Sequence, residues 1–598
     1  MKRNTLLILI LIIGLLLTGC QTGLYLRQYE EGSEYDQYHE DYDVLDKGPV
    51  AGGTLNLFTT APDSLNPILT KNTYTADFLS FIYEGLTRLD ANQKAVAMLS
   101  DSWSASPDGL IWTFHIRNGI KWHDGEPFTA YDVEFTIQAL LNPGINSVYK
   151  PLLASVVTCA AVDSSNIRLV LESPNSFMPE MMTFPIIAKH QFAQKDILSA
   201  SEQFSPTGTG PYRFVSYEEN VNVEMKMNTE WWYITPHNAG EDKAGADSDS
   251  AETAGRYIET IMVKIYKNPD DKMVAFQTDD LDVASVDAAN YPKYKGRIDL
   301  TFKKYTSRDF EFLTFNLNNP IFEDIYVRKA ISMSIDIEAI INEEMPGEAV
   351  AAELPILPES WISNLEGVQA APLYDKVNGV TSDKVATAGS DDAAISITAL
   401  TPIEVLKEGG WKENKQGIYK SIGGLRKYLK VELLVNANNS TRVRIANRIC
   451  EQIIKAGIPA EVKEVQWDDM MNRINTLKYD MAFIGCKIPQ IPDLSYLYSN
   501  SYLYSSISGI SDSAYNASGY NDSLVNTGIT EIFKEKNEYY KKRIYKAMKD
   551  QILKDSPYIG LYFLRDVMVY SKDIKGPLQP DTWNRYDNMS QWYKPKIP

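Results

Sequence analysis

The stretch that decides the fold is "LKVELLVNANNSTRVRIANRICEQIIKAGIPAEVKEVQWDDMMNRINTLKYDMAFIG", residues 429–485. Apolar, β-favouring runs alternate in it with segments of helical period. They predict strands at 429–435, 459–467 and 479–485, a helix from Ser440, the expected cap, to Gly457, and a helix at 468–478. Strand, helix, strand, helix, strand in this order implies a parallel, right-handed α/β sheet with helices on its faces.

The ends of these strands are the first candidate site. In open α/β sheets, ligands bind just beyond the carboxyl ends of the strands. Here those ends are Trp467 and the segment Gly485-Cys486-Lys487. Chain order alone therefore predicts a binding site at this edge. For Trp467 two interpretations stay open, namely a contact with the ligand and an aromatic side chain of the core or its rim.

The composition is that of a large globular protein, with 598 residues, 44% hydrophobic and 23% charged. A chain of this length is expected to fold into several domains. The formal net charge is −19, which argues against a nucleic-acid-binding protein because such proteins need a basic face.

Residue types that carry chemistry are scattered along the chain. Besides Cys20 there are Cys159, Cys450 and Cys486, which show no CxxC spacing and imply no disulfide framework. The five histidines form no HExxH or similar pair, so neither a metal site nor a cofactor is expected. No nucleophile–base set is recognisable, so the sequence predicts a binding protein rather than an enzyme.

Two glycine-containing motifs favour structural roles. In residues 112–143, a strand at 112–116 precedes the turn pair Asp124-Gly125, and Thr129 with Asp132 predicts a capping box for the next helix. His123 beside Asp124 fits a hydrogen-bonded turn better than acid–base chemistry. In "SPTGTGPYRFVSY" (205–217) the glycines lack the pattern of a phosphate or dinucleotide loop, so they predict a tight backbone path.

The N-terminus carries a short leader. Lys2 and Arg3 precede the uncharged run Leu6–Leu17, which as a helix rises only about 18 Å, well short of a bilayer core of about 30 Å. That length is typical of a secretion signal. Leu17-Thr18-Gly19-Cys20 resembles the bacterial lipobox, which implies a diacylglyceryl group on Cys20 and cleavage before it. The alternatives are an uncleaved anchor and a plain signal peptide with a chance cysteine.

Polar segments interrupt the chain at three places. Residues 20–50 are rich in Tyr, Glu and Asp and predict a flexible acidic tether behind the leader. Residues 238–255 predict a surface insertion, and residues 389–400 predict another loop.

Several motifs together resemble the bacterial extracellular solute-binding proteins of family 5, the oligopeptide/dipeptide-type receptors of ABC importers. The resemblance runs over nearly the whole mature chain. It is carried by "GGTLNLFTTAPDSLNP" (52–67), "IYEGLTRLD" (82–90), "SDSWSASPDGLIWTFHIRNGIKWHDGEPFTAYDVEFT" (100–136), "GTGPYRF" (208–214), "LTFNLNNPIFEDIYVRKAISMSIDIEAII" (313–341), "VLKEGGWK" (405–412) and "SPYIGLYF" (556–563).

The resemblance implies an α/β, two-lobed fold of the class II periplasmic-binding-protein type, with an extra domain inserted in the first lobe. Two hinge crossings would join the lobes, which close on a ligand. The expected boundaries are the leader 1–19, the tether 20–50, lobe I at 51–96, 206–316 and 556–598, the inserted subdomain at 97–205, and lobe II at 317–555.

The resemblance also assigns residues to the ligand. It implies an aromatic side chain over the ligand at Trp467, and peptide-backbone binding by the segment after Gly485. Asp63, in the first motif, and Asp493 complete the expected ligand-binding set, with Cys486 and Lys487.

This sequence departs from the family pattern directly after Gly485. Peptide-binding members usually carry a Trp there and, a few residues later, an Asp that pairs with the peptide's α-ammonium group. Here Cys486 and Pro489 stand instead. Burying an ammonium group without a carboxylate partner costs several kcal/mol. Either Asp493 reaches the ligand by another path or the ligand is not gripped by an N-terminus, and Lys487 suits an anionic group.

The expected function is that of a monomeric, lipid-anchored binding protein on the outer face of the bacterial cell membrane. It would capture a small solute, most simply an oligopeptide, and deliver it to the permease subunits of an ABC importer. The alternative is a degenerate member that acts as a surface peptide or signal receptor, or docks onto a partner protein.

Overall fold

The computed structural model describes residues 49, 51–192, 197, 204–234, 257–288, 290–371, 400–499 and 516–595. The leader, Cys20 and the insertion 238–255 lie outside these residues, as do nearly all of the tether and of the loop predicted at 389–400. Among the helices that are described, none combines the length and the apolar character that crossing a membrane requires.

The strands and helices follow in chain order. The strands are β1 Thr54–Thr60, β2 Thr87–Leu89, β3 Ala95–Ala97, β4 Ser100–Ala105, β5 Ile111–Ile116, β6 Val156–Ala161, β7 Asn166–Leu171, β8 Tyr212–Glu218, β9 Asn222–Met227, β10 Thr260–Tyr266, β11 Val283–Val286, β12 Leu300–Phe315, β13 Ala349–Ala351, β14 Lys412–Asn414, β15 Gly417–Ile422, β16 Leu425–Tyr428, β17 Val431–Asn436, β18 Ala460–Val465, β19 Met481–Lys487 and β20 Tyr558–Ser571. The helices are α1 Thr73–Leu79, α2 Ala130–Leu141, α3 Met178–Met181, α4 Lys272–Gln277, α5 Ile325–Met333, α6 Ile337–Glu344, α7 Pro402–Glu408, α8 Ser440–Lys455, α9 Trp467–Asn475, α10 Ser495–Tyr498, α11 Ser523–Lys534 and α12 Glu538–Asp555.

One large sheet runs through the molecule in the order β18-β17-β19-β12-β20-β11-β1-β10-β9-β8. The two long central strands, β12 and β20, belong to both halves of it. Residues 300–306 of β12 pair with 565–571 of β20 next to β11, whereas residues 309–315 of β12 pair with β19. The register shifts between Thr306 and Phe310, so β12 and β20 are the two strands that cross from one half of the sheet to the other.

The parallel unit predicted at 429–485 is confirmed. Strand β17 pairs in parallel with both β18 and β19. Helix α8 packs its buried residues onto these strands. They share a core with residues of β12 and α5: Leu313, Phe315, Val327, Ile331, Leu433, Val435, Ile445, Ile449, Met481 and Phe483.

Two details of that unit differ from the prediction. The cap of α8 is Asn439 rather than Ser440, because the Asn439 carboxamide accepts a hydrogen bond of 3.0 Å from the backbone N–H of Arg442. Trp467 is the first residue of α9 rather than the last of a strand, since β18 ends at Val465. Two acidic residues in the first turn of α9 favour the helix start there.

The region between β3 and β8 forms a separate small sheet in the order β4-β5-β7-β6, with α2 packed against it. The predicted strand at 112–116 and the predicted capping box are confirmed. The Asp132 carboxylate accepts bonds of 2.9 Å and 3.1 Å from the Thr129 N–H and hydroxyl. The box fixes the start of α2, whose apolar side covers the sheet.

The glycine motif at 205–217 passes tightly against the chain at Ile82. A Cβ on Gly208 would lie 2.5 Å from the carbonyl carbon of Ile82, so only glycine fits there. The His123 ring accepts a bond of 3.3 Å from the Gly208 N–H and contacts the Gly210 carbonyl oxygen at 3.0 Å. His123 is therefore hydrogen-bonded at this backbone crossing, which agrees with the predicted hydrogen-bonded turn.

Candidate functional site

The carboxyl ends of β17, β18 and β19 lie along one edge of the sheet. Lys487 is the last residue of β19, is exposed, and stands opposite Asp309 of β12. Trp467 follows β18 in the first turn of α9 and is 38% exposed. Gly485 lies on the same face of β19 as Lys487, because side chains alternate along a strand. The structure therefore brings Trp467, Gly485 and Lys487 to one edge.

A buried ion pair crosses the face of β19 at Gly485. Arg442, from the first turn of α8, donates two hydrogen bonds of 2.7 Å to the Glu311 carboxylate of β12. A Cβ at Gly485 would lie 2.6 Å from Nη2 of Arg442 and 2.8 Å from Cδ of Glu311. The glycine thus leaves the space that this pair occupies.

Cys486 and Asp493 lie in the interior rather than on the exposed face. The Cys486 thiol is 3.8 Å from the Tyr496 hydroxyl, and desolvation raises the pKa of this thiol to about 12. Asp493 is 2% exposed, accepts bonds of 2.7 Å and 2.8 Å from the N–H and hydroxyl of Ser495, and has its pKa raised by desolvation to about 6. Both oxygens of Asp493 are therefore already occupied.

Asp63 lies apart from this edge, in the loop between β1 and α1. Its carboxylate accepts hydrogen bonds from the Thr70 hydroxyl, at 2.5 Å, and from the Lys71 N–H, at 2.7 Å. These bonds close the loop. The structure thus gives Asp63 a local role in the chain that follows β1.

We call the edge with Trp467, Gly485 and Lys487 the first wall of the candidate site. The other half of the sheet carries a second group of charged side chains, the second wall. Asp77 of α1 pairs with Arg585 through an Oδ2–Nη1 contact of 2.8 Å. Lys272 of α4 donates to the Tyr74 hydroxyl at 3.0 Å and to the Ser285 carbonyl at 2.7 Å, and it lies over the rings of Phe58 and Tyr74. Desolvation lowers the pKa of Lys272 to about 8.

These two groups of side chains lie on the two halves of the sheet, which β12 and β20 connect. The Asp77 and Arg585 side chains keep 23% and 28% of their surface exposed, yet desolvation is the largest effect on the pKa of Asp77 and raises it. The Asp77 carboxylate is therefore partly shielded from solvent beside its ion-pair partner. The charge of Lys487, from the opposite half, acts to lower the pKa of Asp77 and of Asp566, so the charges of the two halves influence one another.

Sequence reasoning missed this second wall and the ion pair at Gly485. The partners are far apart in the chain, since Glu311 and Arg442 are separated by 131 positions and Asp77 and Arg585 by 508. One local signal existed. Glu311 interrupts the apolar run at 310–315, where a charged side chain needs a buried partner.

A groove of about 750 Å³ lies elsewhere, between α6, the segment after β13, and α12. Its lining includes Asp336, Glu338, Glu353, Tyr545 and Lys549. Gly560 and Leu561 of β20 also line it. We take the region between the two walls, rather than this groove, as the candidate site, because β12 and β20 connect the walls and the charges on the two walls influence one another.

Comparison with known proteins gives a consistent result. The model of the bacterial extracellular solute-binding proteins, family 5 Middle, matches residues 94–506. The chain is 22% identical to the oligopeptide-binding protein AppA of Bacillus subtilis, covering 92% of this chain and 93% of AppA. It is 23% identical to the oligopeptide-binding protein OppA of the same organism, covering 98% of each.

Solved structures share the fold. The AppA structure in complex with a nonapeptide has a TM-score of 0.58 at 20% identity, covering 92% of this chain and 100% of that one. The ABC transporter substrate-binding protein CtaP of Listeria monocytogenes has a TM-score of 0.66 at 21% identity, covering 91% and 100%. The expected fold class is thereby confirmed.

Proposed function

Because the chain belongs to the bacterial extracellular solute-binding proteins of family 5, we propose that it captures an oligopeptide and delivers it to an ABC importer. The observation that carries this proposal is that β12 and β20 connect two halves of the sheet, one with the edge of β19 and the other with the Asp77–Arg585 pair. Two walls joined by two strands suit capture by closure.

The proposed mechanism is capture without bond breaking. Open lobes admit the peptide, and closure replaces its contacts with water by contacts with protein. Apolar surface buried on closure contributes about 25 cal/mol per Å². Ordering of the ligand and desolvation of polar groups oppose this gain. The permease then recognises the closed form.

The proposed ligand contacts lie at the edge of β19. Trp467 keeps enough exposed surface, 38%, to cover a ligand with its ring. The exposed Lys487 supplies a cation that suits a carboxylate group. Asp493 and Cys486 support this edge from the interior, since both are buried.

The proposed location is the outer face of the bacterial cell membrane, through acyl chains such as palmitate on Cys20. Two acyl chains give firm anchoring where one binds only marginally. Cys20→Ala should therefore move the protein from the membrane fraction to the soluble fraction and abolish labelling by radioactive palmitate. Retention of the variant in washed membranes would refute the lipid anchor.

A second candidate function is a surface receptor for a peptide signal. The observation that favours it is Cys486, which is packed against Tyr496, so no aromatic side chain projects from this position. Uptake of labelled peptides by a deletion strain distinguishes the two. Loss of uptake supports import, and unchanged uptake with a lost response supports sensing.

The direct test of capture is native mass spectrometry of the purified mature protein, followed by isothermal titration with a pool of synthetic tetrapeptides. We expect a retained peptide or saturable binding of the pool. A protein that carries no ligand and gives no heat with the pool would refute peptide capture.

A further inference from the structure

The chain carries no carboxylate at Pro489, so a peptide's ammonium group needs another partner. Asp493, four residues later, is 2% exposed and has both oxygens bonded to Ser495. Turning it toward a ligand would leave the N–H of Ser495 unpaired in the interior, which is costly. The acceptor for a ligand cation must therefore come from another element.

Asp566 is such an acceptor. It lies on the crossing strand β20, directly opposite Tyr305 of β12 and next to the register shift that begins at Thr306. Its side chain is partly exposed. Within the described parts of the chain its carboxylate has no hydrogen-bond or ion-pair partner. A partly exposed carboxylate that has no such partner there is available to a ligand.

The charges around Asp566 do not satisfy it. Desolvation is the largest effect on its pKa, followed by the negative charge of Asp309, and together they raise this pKa to about 6. Arg585 and Lys487 act in the opposite direction and Asp287 in the same one. Arg585 is already paired with Asp77 at 2.8 Å, and Lys487 is exposed at the end of β19. Near neutral pH, Asp566 is an ionised group that is short of a cation.

We propose that Asp566, on the strand that joins the two halves of the sheet, binds the protonated amino group of the ligand. This inference rests on the proposed function, because it takes the ligand to be a peptide. It moves the recognition of the ammonium group from the segment after β19 to β20. The exposed Lys487, whose charge acts on Asp566, then suits an anionic group of the same ligand.

Position explains why β20 can take this role. Asp566 lies on a strand that belongs to both halves of the sheet, so a cation held there contacts the connection between the two walls. A hydrogen bond to a charged group contributes about 1.5–3 kcal/mol, which corresponds to about a tenfold change in affinity or more. A neutral amide at the same position keeps the shape and loses the charge.

The test is a binding measurement with two tetrapeptide pools, one with free and one with acetylated N-termini. We expect the unmodified protein to bind the free pool about tenfold or more tightly than the acetylated pool. Asp566→Asn should lose this preference. Asp287→Asn is the matched control, since it removes the same charge nearby while its carboxylate already bonds the N–H of Asn290 at 2.8 Å, and it should keep the preference.

Each other outcome has a defined meaning. If the unmodified protein binds the two pools equally, the proposed role of Asp566 is overturned without any measurement on a variant. A preference that survives Asp566→Asn, or that Asp287→Asn removes equally, also overturns it. Absence of binding to both pools refutes peptide capture itself, and the inference falls with it.

Discussion

Replacement of Gly485 by alanine tests the packing of the candidate site. The new Cβ would lie 2.6 Å from Nη2 of Arg442 and 2.8 Å from Cδ of Glu311, both well inside van der Waals distance. The Arg442 and Glu311 side chains are only 14% and 8% exposed, so they have little room to move. The alanine must therefore displace a buried ion pair.

The expected loss of stability follows from the cost of displacing this ion pair. Overpacking a well-packed site costs about 1–3 kcal/mol, and breaking a buried pair by removing one partner costs about 3–5 kcal/mol. Both partners remain in Gly485→Ala, so the lower range applies. We expect the free energy of unfolding to fall by about 1–3 kcal/mol.

Urea-induced unfolding of the mature protein, followed by tryptophan fluorescence, measures this loss. In a background that carries both Glu311→Ala and Arg442→Ala, the same glycine substitution should cost less than about 0.5 kcal/mol, because the coupling has been removed. Gly144→Ala is the control, since its Cβ would meet only Asn142 Oδ1 at 3.3 Å. An unchanged midpoint for Gly485→Ala, or an equal loss in both backgrounds, would refute this reasoning.

Two further predictions concern pH and the ligand. Glu84 accepts hydrogen bonds from Thr209, Trp231 and Trp232, and burial raises its pKa from 4.5 to about 7. Between these two pH values the folded state keeps a proton on Glu84 that the unfolded state releases. The stability that this proton gives the folded state is lost as the pH rises through the folded pKa. The free energy of unfolding of the unmodified protein relative to Glu84→Gln should fall by about 3 kcal/mol between about pH 4 and about pH 8, and a pH-independent difference in urea titrations would contradict this. Trp467→Ala should weaken binding of the tetrapeptide pool by about tenfold. It should change the unfolding free energy by less than about 0.5 kcal/mol, since the ring is 38% exposed. If calorimetry gives the variant and the unmodified protein the same affinity, Trp467 is not part of the site.

The order of elements at 429–485 was predictable because local signals agree. The helical period of 440–455 and the apolar strands around it specify the same arrangement, and Gly457 ends the turn. The cap was misplaced by one residue because Asn439 and Ser440 are both good caps. Only the backbone shows which side chain reaches the free N–H of Arg442.

The site was predictable only in part, for a geometric reason. Sequence reasoning grouped Gly485, Cys486 and Lys487, but β19 continues to Lys487, so side chains at alternate positions point to opposite faces. Cys486 therefore faces the interior near Tyr496, while Lys487 faces outward. Partners such as Glu311 reach this edge through sheet pairing, which no short window of sequence reveals.

Hydrogen–deuterium exchange of the mature protein, with and without the free-N-terminus tetrapeptide pool, tests the central claim of ligand-driven closure most directly. The claim predicts slower exchange with the peptides at 466–469 and 485–488 on one wall, and around Asp77 and Arg585 on the other. Saturable binding with protection confined to 335–338 and 351–354, which line the separate groove, would contradict it.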